Sequence, residues 1–225
     1  MTTSVDFWFD PLCPWCWATS RWVLEASQVR PLAITWHPMS LGILNAPTEP
    51  NETVEQFSEL ARGPIRVLAA VNANESNERV AELYTALGTR FHHTDHGLLA
   101  PIRRPDGPGI LEGMIIALPT SQPLIEDALA ETGLAADYAK AFTDSSWDAV
   151  IRRSHDAVPA GAQRQELIGV PTISVEGSAA LFGPVISHFP TGERAGALWD
   201  AFATLALEPT FFELKRVTAR PIPLG

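Results

Sequence analysis

Two cysteines separated by two residues constrain this chain most, because of the sequence on either side of them. The run from Val5 to Asp10 is mainly β-branched and aromatic and ends at Asp10-Pro11, which is typical of a buried strand. The residues from Trp15 to about Gln28 are good helix formers with apolar side chains at helical spacing. Pro14 stands at a first-turn position, where proline is tolerated. Cys13-Pro14-Trp15-Cys16 is therefore predicted to lie at a strand-to-helix turn.

Further strands are predicted at both ends of the chain. Leu32 to Met39 alternates in polarity and ends at a proline, which predicts a second strand parallel to the first across a right-handed crossover. Gly169 to Val175 and Ala179 to Phe182 predict two more strands, joined by a turn at Glu176-Gly177-Ser178. Glu193 to Leu207 predicts a final amphipathic helix. These elements together predict an α/β domain.

The middle of the chain has a different pattern. Its predicted helices are Glu55 to Ala73, Asn77 to Arg90, Leu124 to Glu131, Ala135 to Phe142 and Trp147 to Ala157. Pro101 to Pro123 is rich in proline and glycine and is predicted to be a loop with one short apolar piece. This mostly helical stretch of about 130 residues is too long for a connection. We therefore predict one domain from residues 1–39 and 168–225, with residues 40–167 as an inserted helical subdomain, or lid.

Composition narrows the class of protein. The net charge of -10 argues against a nucleic-acid partner, because few Lys and Arg side chains are available to neutralise phosphates. No stretch approaches the roughly 18 apolar residues of a membrane span, so we expect no membrane partner. The first residues lack the basic and apolar regions of a signal peptide, and we expect a cytoplasmic protein. In a reducing compartment, a lone cysteine pair indicates redox chemistry or metal binding.

The position of the cysteines predicts their roles. Only a thiolate attacks a disulfide, and unpaired N–H groups at the start of a helix stabilise a negative sulfur at Cys13. Cys16 would lie one turn inside the helix, within disulfide reach of Cys13 and more shielded. We therefore predict that Cys13 is the nucleophile and Cys16 the resolving thiol.

Two other interpretations of the pair are weaker. A zinc site needs four ligands, and there is no second C-x-x-C. His92-His93-x-x-His96 could complete such a site, but it lies far from the cysteines in sequence, at the end of a helix. A structural disulfide would close a very small loop and stabilise the chain only modestly. Redox chemistry is therefore favoured, and no metal ligands are predicted.

A second candidate element is Val170-Pro171-Thr172, at the start of a predicted strand. Alone, this proline would be interpreted as an ordinary edge-strand residue. Together with the C-x-x-C, it suggests a cis proline that turns the backbone of Val170 toward the sulfurs, ready to pair with an extended substrate.

These motifs resemble the DsbA-like thioredoxin superfamily, whose insertion is helical and whose Val-Pro-Thr proline is cis. More narrowly, the chain resembles the mycothiol-dependent nitroreductase and disulfide reductase branch. The matching segments are Trp8 to Trp17, Met39-Ser40-Leu41, Ile43-Leu44-Asn45, Phe182-Gly183-Pro184-Val185 and Phe211 to Arg216. The segment from Pro101 to Pro123 does not match that pattern.

The resemblance implies a thioredoxin-like fold of the α/β class with a large helical insertion, and a cytosolic enzyme. Such an enzyme takes electrons from a low-molecular-weight thiol, here mycothiol, and passes them to disulfides or small electrophiles such as nitroaromatics. No bound cofactor is expected, in agreement with the lack of a G-x-G-x-x-G motif after a strand.

The candidate substrate-binding residues are Pro14, Trp15, Asn45, Val170 and Pro171. Trp15 could stack on an aromatic substrate or simply cover the sulfurs. Asn45 could point at the site or cap a turn. His37 is a further candidate neighbour of the sulfurs, and Trp8, Trp22, Trp36 and Trp199 are predicted core residues.

Alternative functions remain open at this point. One is a DsbA-like protein disulfide oxidase or isomerase, although oxidants of this superfamily work outside the cytosol. Another is a glutathione-transferase or chromene-carboxylate isomerase relative, but those relatives have serine where Cys13 stands. A third is a non-catalytic, chaperone-like binding module. A homodimer is compatible with the sequence, which does not indicate the oligomeric state.

Overall fold

The computed structural model describes residues 1–47, 49–93, 97–98, 100–103, 106–159, 169–218 and 222–223. These residues form two compact units. The sheet unit contains Met1–Phe9, Cys13–His37 and the described residues from Asp156 onward. The helical unit contains Asp10–Leu12 and Pro38–His155. The fold is thioredoxin-like with a helical insertion, as the sequence predicted.

The sheet unit is built on a four-stranded sheet. Its strands are β1 (Thr3–Phe9), β2 (Leu32–Pro38), β3 (Thr172–Val175) and β4 (Leu181–Phe182), in the order β2-β1-β3-β4. β3 runs antiparallel to both of its neighbours. Helix α1 (Pro14–Ser27) connects β1 to β2, and a long helix, Gly192–Ala206, follows β4. Each of these elements was predicted to within a few residues.

Aromatic side chains form much of the core of the sheet unit. Trp22 of α1 lies 5.9 Å from Trp199 between ring centroids, and its indole N–H donates to the Ala195 carbonyl at 3.1 Å. The predicted core tryptophans Trp8, Trp22, Trp36 and Trp199 are all buried, with at most 3% of their surface exposed. Burial of these large rings is a major source of the stability of this unit.

The β3–β4 turn has the conformation that its sequence predicts. Glu176 and Gly177 have φ angles of 51° and 70°, and the Ser178 N–H donates to the Val175 carbonyl at 2.9 Å. Two successive positive φ angles define a type I′ turn, whose twist matches that of a hairpin. β3 begins at Thr172, later than the predicted Gly169, because Pro171 has no N–H to donate to a strand partner.

The helical unit consists of short helices. The α-helices are α2 (Leu41–Leu44), α3 (Glu52–Leu60), α4 (Arg62–Asn74), α5 (Asn77–Gly88), α6 (Ile110–Ala117), α7 (Gln122–Glu131) and α8 (Asp148–Asp156), so that Gly192–Ala206 is α9. A π-helical turn, Thr89–His93, ends α5. Four 3-10 segments cover Pro101–Arg103, Leu118–Thr120, Ala136–Thr143 and Ser145–Trp147. Among the described residues, no helix is both long and apolar enough to cross a bilayer.

Two helix predictions and one loop prediction were wrong in detail. The predicted single helix from Glu55 to Ala73 is two helices, α3 and α4, because Pro64 cannot donate a hydrogen bond to the Leu60 carbonyl. The predicted loop from Pro101 to Pro123 contains α6, a short apolar helix that begins after Pro108-Gly109. The predicted α-helix from Ala135 to Phe142 is a 3-10 helix. The proposed domain boundary near residues 167 and 168 involves positions outside the described residues and stays a prediction.

An ion-pair network around a buried arginine lies within the helical unit. Arg66 is 3% exposed, and its Nε donates to Asp148 Oδ1 at 2.7 Å. Its Nη1 and Nη2 also donate to Glu59 Oε1, both at 3.2 Å. Burial opposes ionisation of Asp148, but the hydrogen bonds and charges of Arg66 and Arg62 together outweigh it and lower the pKa of this carboxyl. Arg66 is therefore neutralised mainly by Asp148.

We expect Asp148→Asn to destabilise the protein by about 2–3 kcal/mol at pH 7, because it leaves a buried guanidinium without its main counter-charge. The lowered folded-state pKa means that Asp148 stabilises the fold above its unfolded-state pKa. That contribution is lost as the pH falls through the lower folded-state value. Urea unfolding of both proteins at pH 7 and at pH 3 measures the effect, and equal stability at pH 7 would contradict it.

Candidate active site

Cys13 is the N-cap residue of α1. Its backbone is extended, with φ −81° and ψ 112°, and its Sγ accepts a hydrogen bond from the Cys16 N–H at 3.4 Å. Cys13 is 4% exposed and Cys16 is fully buried, and no disulfide joins them. The Cys16 N–H and the N-terminal end of the helix dipole both stabilise a negative charge on Cys13 Sγ.

The backbone before Pro171 contacts the same sulfur. The Cys13 thiol donates to the Val170 carbonyl at 3.7 Å, and the Val170–Pro171 peptide bond is cis, as the resemblance implied. Val170 is 157 positions from Cys13 in sequence. The structure therefore brings together Cys13, Cys16, Val170 and Pro171, all within the sheet unit.

The segment that carries Pro171 is fixed by contacts that sequence reasoning missed. The Pro171 carbonyl accepts from the Gly183 N–H, and the Thr19 hydroxyl of α1 donates to the Pro184 carbonyl, both at 2.8 Å. Gly183 has φ 109°, a conformation open mainly to glycine. The sequence indicated the importance of this segment only through the family resemblance of Phe182-Gly183-Pro184-Val185. It did not predict that Gly183 and Pro184 bond the Pro171 segment and α1. These bonds connect the Pro171 segment to the helix that carries the cysteines.

The other candidate substrate-binding residues have clear local roles. Pro14 is buried at the first position of α1, and Trp15 is half-buried. Asn45 is the C-cap residue of α2, and its side-chain amide donates to the Leu41 carbonyl at 2.8 Å. His37, considered as a neighbour of the sulfurs, bonds Asp6 at 2.7 Å and stacks on Trp8. Contacts of Trp15 and Asn45 with substrate stay predictions.

Asp10 is a buried acid that sequence reasoning treated only as the end of a strand. It is fully buried in the helical unit, and its two oxygens accept from the Leu12 N–H at 2.8 Å and the Leu41 N–H at 2.7 Å. Burial raises the pKa of Asp10 to about 7, against the lowering effect of these two bonds. The sequence feature that could have indicated a buried acid is the position of Asp10 at the end of an apolar run, shortly before the cysteine motif.

His92, the first histidine of the His92-His93-x-x-His96 motif, is also buried. Its Nε2 lies 2.8 Å from the Pro11 carbonyl, so this nitrogen carries the hydrogen. His93 is exposed, and His96 lies outside the described residues. Across the described part of the chain, no group of three or more His, Cys, Asp or Glu side chains is placed to hold a metal ion.

The cysteine pair at the start of the first helix, the cis proline beside it and the inserted helices define a DsbA-like member of the thioredoxin superfamily. The chain belongs to the Rv2466c-like family, whose model, described as mycothiol-dependent nitroreductase Rv2466c, matches residues 12–105 and 116–216. It is therefore an oxidoreductase of the thiol–disulfide type. The unmatched residues 106–115 fall inside the segment from Pro101 to Pro123, where the sequence also departed from the family pattern.

The individual proteins that the chain resembles share low sequence identity with it. The chain is 26% identical over 214 residues to the uncharacterized protein Rv2286c of Mycobacterium tuberculosis, covering 95% of this chain and 82% of that protein. The cytosolic disulfide reductase DsbM from Pseudomonas aeruginosa, solved with GSH, superposes with a TM-score of 0.50. It is 18% identical, and the match covers 90% of this chain and 100% of that chain. This second likeness supports the fold.

Proposed function

We propose that this protein is a cytosolic, mycothiol-dependent reductase of disulfides or of small electrophiles such as nitroaromatics. Cys13 is the nucleophile and Cys16 the resolving thiol. The observation that carries the proposal is the position of Cys13 Sγ between the Cys16 N–H and the Val170 carbonyl. The first group stabilises the thiolate and the second accepts a hydrogen bond from the thiol, so both protonation states of Cys13 have a partner.

Reduction of a disulfide proceeds in two exchanges. The Cys13 thiolate attacks one sulfur of the substrate, forming a Cys13–substrate mixed disulfide and releasing the other half as a thiolate. The Cys16 thiolate then attacks Cys13 Sγ, which releases the second half and forms the Cys13–Cys16 disulfide. The substrate gains two electrons, and the protein loses the same two.

Mycothiol returns the protein to the dithiol. One mycothiol thiolate opens the Cys13–Cys16 disulfide, forming a mixed disulfide with Cys13, and a second releases it as mycothiol disulfide. For a nitroaromatic substrate, one dithiol supplies two electrons and two protons, which reduce the nitro group to a nitroso group and water. The family description supports mycothiol as the donor.

Substrate recognition is proposed to use the backbone beside Pro171 together with the surface around Trp15. An extended substrate, such as a peptide that carries a disulfide, would form backbone hydrogen bonds with Val170. Trp15 is half-buried, and its indole ring is the proposed stacking surface for an aromatic group. Pro14 and Asn45 complete the proposed substrate-binding set.

The donor proposal is tested by turnover with matched thiols. We expect reduction of a small disulfide to be at least about 10-fold faster with mycothiol than with glutathione at equal concentration, because a donor-specific contact should be worth at least about 1.4 kcal/mol. Each thiol is kept reduced by its own recycling enzyme and NADPH, and Cys13→Ser serves as the blank. Equal rates with the two thiols would contradict mycothiol dependence but not the cysteine chemistry.

A further inference from the structure

Asp10 is a buried titratable group that the proposed disulfide exchange does not use. It stands three residues before Cys13, and the turn Pro11–Leu12 separates the two. One carboxylate oxygen accepts from the Leu12 N–H at 2.8 Å, and Leu12 is joined to Cys13 by a peptide bond. The other oxygen accepts from the Leu41 N–H at 2.7 Å. The carboxylate therefore connects the turn before the nucleophile to the first residue of α2.

Burial of an ionised carboxylate at this position is unfavourable. A buried charge is costly unless it is paired, and two neutral backbone amides compensate it only in part. The result is a pKa raised to about 7, so the ionised and protonated forms are both populated near neutral pH.

The same segments carry two histidine contacts within the helical unit. His92 Nε2 donates to the Pro11 carbonyl at 2.8 Å, and the Ser40 N–H donates to His155 Nε2 at 2.9 Å. The titratable groups on or against these segments are therefore His92, which bonds Pro11, His155, which bonds Ser40, and Cys13, which follows the turn. The turn Pro11–Leu12 is thus held by one histidine and one carboxylate.

We propose that Asp10 is a positioning residue for the nucleophile: its ionised carboxylate fixes the turn before Cys13 by accepting the Leu12 and Leu41 amides together. The inference rests on the proposed role of Cys13. The ionised form has two acceptor oxygens for the two amide donors. Protonation places a hydrogen on one oxygen, which then faces an amide N–H, and one of the two bonds weakens.

Two consequences follow for pH dependence. The turn before Cys13 is most ordered above neutral pH, where Asp10 is ionised, and loosens as the pH falls through about 7. The reactivity of Cys13 should therefore depend on the ionisation of Asp10.

The first test uses alkylation of Cys13 by iodoacetamide between pH 5 and pH 9. It is done in a Cys16→Ser background, so that one thiol reacts and no mycothiol is needed. We expect the parent profile to contain the ionisation of Asp10, with a midpoint near pH 7. Asp10→Asn should lower the rate above pH 7 by about 10-fold through misplacement of the nucleophile and remove that ionisation from the profile. Superimposable profiles for the parent and Asp10→Asn would overturn the proposal.

Asp148→Asn is the matched control, because it also removes a partly buried carboxylate of the helical unit. It should lower stability and leave the shape of the alkylation profile unchanged. If Asp148→Asn changed the profile as Asp10→Asn does, a general loss of stability would explain the effect, and the proposal would fail.

A second test needs no substitution in Asp10 and stands if Asp10→Asn does not fold. The carboxyl ¹³C resonance of Asp10 and the amide resonances of Leu12 and Leu41 are followed by NMR through the pH titration of the unaltered protein. We expect all three to move with one midpoint near 7. Observing the carboxyl carbon directly separates Asp10 from His92 and His155. A titrating Asp10 with static Leu12 and Leu41 amides would overturn the proposal.

These outcomes are separable from those of the proposed function. Alkylation and NMR report on Cys13 and its turn without turnover. If Cys13→Ser kept full reductase activity, the proposed function would fail even where the Asp10 results came out as expected.

Discussion

Cys13→Ser is expected to lower the rate of disulfide reduction on the order of 10³-fold or more, because it removes the attacking sulfur and serine is a far weaker nucleophile here. The substitution changes one atom in a side chain that is 4% exposed, so the fold should be retained. Reduction of insulin and mycothiol-linked turnover measure the loss. Thermal unfolding of the variant checks that it is folded.

The partner variant Cys16→Ser should stop the reaction one exchange later. Cys13 can still attack, but no second thiol is available to release the substrate half. Intact-protein mass spectrometry should therefore show one thiol adduct on Cys13, which is stable until a reductant is added. Retained activity in Cys13→Ser, or the absence of any adduct on Cys16→Ser, would contradict the assigned roles.

The second large effect is on stability, through Asp10. The pKa of its carboxyl rises from 3.8 to about 7 in the folded protein, so between these values the folded state holds a proton that the unfolded state has lost. The contribution of protonated Asp10 to the free energy of unfolding is fully present below the unfolded-state pKa. It is lost as the pH rises through the folded-state pKa. Three pKa units correspond to about 4 kcal/mol.

Asp10→Asn should remove this pH dependence. As the pH rises from 4 to 8, the parent should lose about 4 kcal/mol of stability that Asp10→Asn keeps. The difference in the free energy of unfolding between the two proteins should therefore change by this amount in favour of the variant. Urea unfolding at several pH values, in the presence of a reductant, measures the difference. Parallel stability curves for the two proteins would show that Asp10 does not titrate in this range.

Asp148 is also a carboxyl group, but its pKa is shifted in the opposite direction from that of Asp10. Its pKa is lowered because Arg66 and Arg62 together outweigh burial, so its contribution to stability is lost toward acid pH. Asp10 has only the amides of Leu12 and Leu41, which do not outweigh burial. Asp10 is fully buried and Asp148 partly buried in the same unit, and the presence or absence of adjacent guanidinium groups decides the direction of each shift.

The arrangement of the cysteines could be predicted from sequence because it depends on local structure. A strand that ends at Asp10-Pro11 and a helix that begins at Pro14 leave Cys13 at the N-cap, whatever the rest of the chain does. The β3–β4 turn is local in the same sense. The cis bond at Pro171 was predicted only through the family resemblance, since the residues alone also suit an ordinary edge strand.

Contacts between distant residues could not be predicted. Asp10 and Leu41 are 31 positions apart, and Thr19 and Pro184 are 165 apart, and no periodicity or spacing links either pair. Local sequence also misled in the helical unit. There Pro64 divides a continuous helical pattern into α3 and α4, and a run rich in proline and glycine contains α6.

The direction of electron flow is the central claim, and the reduction potential of the Cys13–Cys16 pair tests it most directly. Equilibration with thiol–disulfide buffers of known potential, read by mass spectrometry after alkylation, gives the value. A reductase recycled by a small thiol should have a potential of roughly −200 to −270 mV, in the range of glutaredoxins and thioredoxin. A potential near −120 mV, as for a strong disulfide oxidant, would contradict the proposed function.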